Sequence, residues 1–154
     1  MKTSLLLLML TAFSAALSAQ SAKEEMDYIQ SIFGMEKKAM VAEVVQPDEA
    51  NMSTFWTLYD SYETQRKALG QKRLELLMTY SEKYEDLTDE QAAHFLKETL
   101  AIKQQHDKLL NAYVKKVNKS NGPVTAMRFH QVEIYILSEI RVAIAGGLPF
   151  PDTH

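Results

Sequence analysis

The stretch Asp86–Leu96, DLTDEQAAHFL, decides how the rest of the chain reads, because it sets a helix start inside a long run of helix-forming residues. Thr88-Asp89-Glu90-Gln91 has the form of a capping box. The Thr88 hydroxyl is placed to accept from the backbone N–H of Gln91, and the Gln91 side chain to reach back to the N–H of Thr88. Asp89 and Glu90 fall in the first turn, where the helix dipole favours negative charge. Leu87 before the cap and Ala92 after it are spaced as a hydrophobic staple. One helix therefore ends shortly before Thr88 and another begins there. Two long helices joined so closely run antiparallel.

Working outward, Gly and Pro are nearly absent between Lys23 and Lys119, where only Gly34, Pro47 and Gly70 occur. Glu, Lys, Leu, Ala, Met and Gln fill the space, and no stretch alternates apolar and polar as a strand would. The pattern predicts an all-α fold of about four helices, a long antiparallel hairpin with flanking helices. The first spans about Lys23 to Val44, with Gly34 as a bend. The second begins near Pro47, with Asp48 and Glu49 at its positive end, and runs to about Tyr84. The third runs from Thr88 to about Val117. NKSNGP (Asn118–Pro123) then closes one helix and opens the next, which spans about Val124 to Ala145 and stops at Gly146-Gly147. Residues 148–154 form an irregular tail.

The N-terminus, MKTSLLLLMLTAFSAALSAQ, carries one basic residue, a short apolar run and then small residues. This is the layout of a secretory signal peptide, too short in its apolar part to span a bilayer. Cleavage is expected near residue 19, leaving one helical domain over residues 20–147. The chain has no cysteine, which removes disulfides, thiol nucleophiles and thiolate metal sites. Its formal net charge of −3 gives no whole-molecule case for nucleic-acid binding.

On the second helix Phe55, Tyr59, Tyr62, Leu69, Leu76 and Tyr80 recur at heptad-like intervals, with Arg66 and Arg73 filling the gaps. Phe95, Ile102, Leu109 and Tyr113 of the third helix form the facing stripe. A guanidinium on such a seam needs an acidic partner or a path to solvent. The fourth helix carries Met127, Phe129, Val132, Ile134, Ile136, Leu137 and Ile140, interrupted by Arg128, Gln131 and Glu133. A structural polar network of Arg66 or Arg73 with Glu133, beside Arg128, is expected to fix helix register. A thin bundle with so small a core is also expected to form a homodimer.

Catalytic and cofactor motifs are missing. No G-x-S-x-G elbow, glycine-rich phosphate loop, HExxH or paired Glu-x-x-His set occurs, so neither an enzyme nor a cofactor is expected. His94, His106, His130 and His154 invite a metal reading, with Glu90–His94 or His130–Glu133 as chelating pairs, but no full ligand set follows from their spacing.

Leu87, Thr88 and Gln91 in an exported, cysteine-free, helical chain resemble the LTxxQ-motif, Spy/CpxP-like family of periplasmic proteins. The likeness extends over FWTLYDSYETQRKALGQKRLELLMTYSEKYEDLTDEQ (Phe55–Gln91) and RFHQVEIYI (Arg128–Ile136), and points to relatives common in Bacteroidetes, often labelled sensors of sigma factors. The family carries two LTxxQ copies; where the other would fall this chain reads VQPDEANMSTFW (Val45–Trp56). The resemblance implies a long bent subunit in a cradle-shaped dimer. It also implies either ATP-independent holding of unfolded client proteins or damping of an envelope stress sensor. On that reading Lys108, Lys115, Lys116 and Lys119 form the candidate client or partner surface. A zinc-binding periplasmic protein is a further alternative.

Overall fold

The computed structural model describes residues 36–151. The signal peptide, its cleavage point, the first twelve or so residues of the first helix and His154 lie outside the described residues. Within them the chain is all-α. Helix α1 covers residues 36–45 of the described part. It is followed by α2 (Met52–Ser81), α3 (Asp89–Asn121) and α4 (Pro123–Gly147), with short 3-10 turns at Glu49–Asn51 and Tyr84–Asp86.

The boundaries follow local chemistry. Gln46 takes a left-handed φ of 45°, so the chain turns before Pro47. The Asn51 N–H then bonds Asp48 O at 2.9 Å, and α2 begins at Met52 rather than at Pro47. It ends at Ser81, three residues before Tyr84, where Lys83 N–H bonds Tyr80 O and the chain tightens into the 3-10 turn. Helix α3 runs on to Asn121, four residues past Val117, because the buried Asn121 amide donates to Asn51 O at 2.9 Å and ties the helix end to the start of α2. Gly122 alone joins α3 to α4. Its φ of +86° is a conformation that side chains disfavour, and Pro123 opens the next helix with its φ already set.

Side-chain pairings give the helix directions. Along α2, Asn51, Tyr62 and Tyr80 meet Asn121, Tyr113 and Phe95 of α3 in falling order, so the two long helices are antiparallel. Helix α4 turns back at Gly122 and runs alongside α2: Phe55 meets Phe129, and Tyr62 meets Glu133.

The core sits at one end of this hairpin. Phe55, Tyr59 and Tyr62 interlock with Leu110, Tyr113 and Val117, with Ala126, Phe129, Val132 and Ile136, and with Val41 and Val45. Phe129 is the hub. Its ring stands nearly perpendicular to Phe55, Tyr59 and Tyr62 at 6.0, 6.4 and 5.4 Å, the edge-to-face geometry that aromatic quadrupoles favour. Burying a side chain of this kind contributes roughly 1.5–3 kcal/mol, so these rings concentrate the stabilisation at this end. Toward the hairpin tip the seam thins. Leu69, Leu76 and Tyr80 are only half-buried there, and Phe95 is the buried residue nearest the tip on α3.

Candidate functional site

The tip is positioned by the cap that opens α3. Thr88 Oγ1 accepts from the Gln91 backbone N–H at 3.3 Å, and Gln91 Oε1 accepts from the Thr88 N–H at 3.0 Å. The two bonds satisfy backbone donors that a helix start otherwise leaves to water. They also aim the flanking side chains. Gln91 faces a groove between α2 and α3, and Leu87 faces an apolar cleft by the tail.

The groove has a volume of about 800 Å³. Leu76, Phe95 and Ile102 supply its apolar surface, and Lys72, Lys83, Glu75, Glu90 and Glu98 stand among them. The cleft measures about 410 Å³ and draws on Leu77, Tyr80, Leu87, Leu96, Ala145 and Phe150. Phe95 lines both. The Tyr80 hydroxyl donates to Pro149 O at 2.8 Å, tying the segment after α4 across the cleft. An open groove with apolar contacts and charges of both signs suits extended polypeptide, which offers side chains of every type.

Deeper in the seam lies a layer of charge. Arg66 donates to both oxygens of Glu63, from Nε at 2.7 Å and from Nη2 at 3.2 Å. Burial alone would lower the Arg66 guanidinium; the bonds and charge of Glu63, joined by the charges of Glu133 and Tyr62, together outweigh it and hold the group above its ordinary value. Glu133 is fully buried and accepts from the Tyr62 hydroxyl at 2.8 Å. Burial, followed by the charge of Glu133, pushes the Tyr62 hydroxyl well above the usual phenol range. Burial and Glu63 do the same to Tyr59.

Farther along, burial and the neighbouring Arg141 lower Arg73, whose Nε has no hydrogen-bond partner among the described residues. Arg141 instead approaches Asp107 at 3.8 Å, and Lys103 bonds Asp107 at 2.8 Å. Next to Asp107 on α3, His106 is lowered to about 4 by burial and then by Arg66, Arg141 and Arg73, with Asp107 opposing.

Arg66 turns to Glu63 one turn away on its own helix, where the fork geometry of a guanidinium meets both carboxylate oxygens, so that pair does not bridge helices. The bond between α2 and α4 at this level runs from Tyr62 to Glu133. Arg73 lies eleven residues past Tyr62, about 16 Å along the helix, beside Arg141 rather than a carboxylate. Arg128 sits near the start of α4, where its Nη1 donates to Val45 O at 3.4 Å.

Lys108, Lys115, Lys116 and Lys119 are all exposed on the core half of α3, beyond the last groove residue, Gln105. Lys116 sets its ammonium 4.1 Å over the Tyr113 ring. The lysines and the groove thus occupy different lengths of one helix. His94 faces the groove with Glu90, while His106 is buried in the seam. Among the described residues no three His, Asp or Glu side chains gather as a metal site requires, and no helix is long and apolar enough to cross a membrane.

The sequence reading weighed His106 only as one of four histidines that invite a metal and missed its place in the seam. The signal was present: His106 follows Ile102 and precedes Leu110 and Tyr113 at intervals of four, four and three. The groove carried no such signal, since its two walls come from separate helices. No protein-family model, no curated protein and no solved structure matches the chain.

Proposed function

We propose that this chain is an exported, periplasmic helical protein of the Spy/CpxP-like kind, without enzymatic activity, that holds unfolded client proteins during envelope stress. The observation that supports the reading is the groove at the hairpin tip. Its floor is apolar, with Leu76 half-buried and Phe95 and Ile102 buried beneath it, and Lys and Glu side chains stand around it. Such a surface offers hydrophobic contact without the fixed polar geometry that selects a single ligand. The thin packing of the tip adds to this, because regions with few buried apolar contacts adapt most readily to a partner. The exposed lysines of α3 would supplement the groove for acidic clients.

The test is light scattering from a chemically unfolded model client, such as reduced α-lactalbumin, diluted with and without the purified protein and without ATP. Suppression at near-equal molar ratio, reduced by Leu76→Glu and absent with an inert carrier, is the expected result. Melting of the variant followed by circular dichroism keeps a folding defect distinct from loss of the surface. Unchanged aggregation at several-fold excess would overturn client holding and favour a regulator that docks on one membrane sensor, to be sought by crosslinking in the envelope.

A further inference from the structure

Helix α4 is apolar on two opposite sides. Its inner side packs Ala126, Phe129, Val132 and Ile136 into the core. Its outer side carries Val124, Met127, Gln131, Ile134, Tyr135, Ser138, Val142 and Ala145, all exposed. At about 100° per residue these eight fall within an arc of roughly 100°, and none is charged. The exposure of the large ones ranges from 39 % at Ile134 to 70 % at Val142. A helix of a monomer ordinarily turns charge toward water on this side.

The order of residues along the stripe is symmetric. Val124 and Ala145, Met127 and Val142, Gln131 and Ser138, and Ile134 and Tyr135 are each equidistant from the midpoint between Ile134 and Tyr135. A two-fold axis through that midpoint brings every member opposite its counterpart. Apolar then meets apolar, and the two neutral polar residues meet each other. We infer that the outer face of α4 is the interface for a second copy of this chain, packed antiparallel along α4. The inference gives a face and a register to the homodimer expected from the sequence, and it is independent of whether clients are held.

Three further features agree with this occupant. Arg128 and Glu139 are exposed on the same flank of the stripe, and the rotation sets Arg128 within two residues, about 3 Å along the axis, of Glu139 in the second copy. In antiparallel helix pairs like flanks face each other, so this meeting occurs twice. The opposite flank holds His130 and Arg141, and there Arg141 is drawn toward Asp107 of its own chain. The tail cleft, with Leu96 and Phe150, adjoins the stripe at Ala145, where Val124 and Met127 of the second copy arrive. Methionine is well suited to fill such an irregular gap. Finally, specific interfaces cover about 800 Å² per partner. Two helices packed along roughly 30 Å, extended by Leu96 and Phe150, are of that order.

Sedimentation equilibrium of the purified protein tests the inference. The expected result is a reversible dimer in the micromolar range that Ile134→Glu or Tyr135→Glu weakens at least tenfold while leaving helix content unchanged. Arg128→Glu and Glu139→Arg should each weaken it a few-fold, and the two together should restore it. Because the chain has no native cysteine, Gln131→Cys mixed with Ser138→Cys should form a crosslinked dimer faster under oxidant than either alone. A monomer up to 100 µM or so would overturn the inference and leave the face to another segment or another protein. A dimer indifferent to both Ile134→Glu and Tyr135→Glu, or charge swaps that do not rescue, would overturn this face and this register. Client holding would stand or fall by light scattering in either event.

Discussion

The Tyr62 hydroxyl of α2 donates to the fully buried Glu133 carboxylate of α4 across 2.8 Å. The two residues are 71 positions apart in sequence, and α2 and α4 are not consecutive. Their bond crosses the same aromatic cluster that holds Phe129 at its centre. Arg66 and Glu63, by contrast, neutralise each other within one helix.

Tyr62→Phe therefore removes a bond to a buried charge while keeping the ring and its contacts. Bonds to charged groups contribute about 1.5–3 kcal/mol, and a loss in that range is expected in urea unfolding at neutral pH. Tyr62→Phe combined with Glu133→Gln should cost less than the two changes added together, since the bonded pair is then removed as one. Strict additivity in this double-mutant cycle would show that the bond carries no coupling.

His106 gives a pH dependence with a definite sign. Its folded value of about 4 lies below the ordinary 6.5, because burial and the nearby arginines disfavour its cation. Above pH 6.5 both folded and unfolded states hold it neutral. Between 6.5 and 4 the unfolded chain takes up a proton that the native chain refuses, so stability falls as the pH falls. The loss is on the order of 2–3 kcal/mol over that window. His106→Gln should flatten this part of the profile relative to the wild type, as measured by urea unfolding at pH 7 and pH 5. Equal pH slopes for the two proteins would count against the buried neutral imidazole.

The capping box makes a smaller, local contribution. Thr88→Ala should lower stability by about 1 kcal/mol, and Gln91→Ala by less, because Gln91 returns only one bond to the Thr88 N–H. Hydrogen exchange is the sharper probe: amide protection should fall over the first turn of α3 and remain unchanged around Tyr113. A loss spread evenly over the chain would mean that the cap governs global folding rather than the tip.

Some of this was legible without tertiary structure. Thr88 and Gln91 read as a helix start, and Gly122-Pro123 as a helix junction, because the bonds and backbone angles that define them lie within four residues. The aromatic stripe of α2 was legible for the same reason, since heptad spacing is a property of one helix. Pro47 misled the reading of the α2 start, as the left-handed turn at Gln46 gives no compositional warning. Arg66 and Arg73 stood out on the seam as residues requiring a partner, yet spacing alone could not choose among Glu63, Glu133 and solvent.

Helix α4 shows the division most clearly. Its sequence is apolar through Met127, Phe129, Val132, Ile134 and Ile136, and a helix apolar on both sides has no periodicity that says which side turns inward. The amino-acid order by itself determined that the described residues are helical, where α2, α3 and α4 begin and end to within about five residues, and that charge interrupts their seams. Only the packing of α2 against α3 and α4 decided that Phe129 is buried and Met127 exposed, that Glu133 meets Tyr62, and that a groove opens above Phe95. Most helix ends are set by bonds to near neighbours in the chain, the tie from Asn121 to Asn51 at the end of α3 being the exception. The identity of a buried partner depends on three helices meeting in space, and no local pattern encodes it.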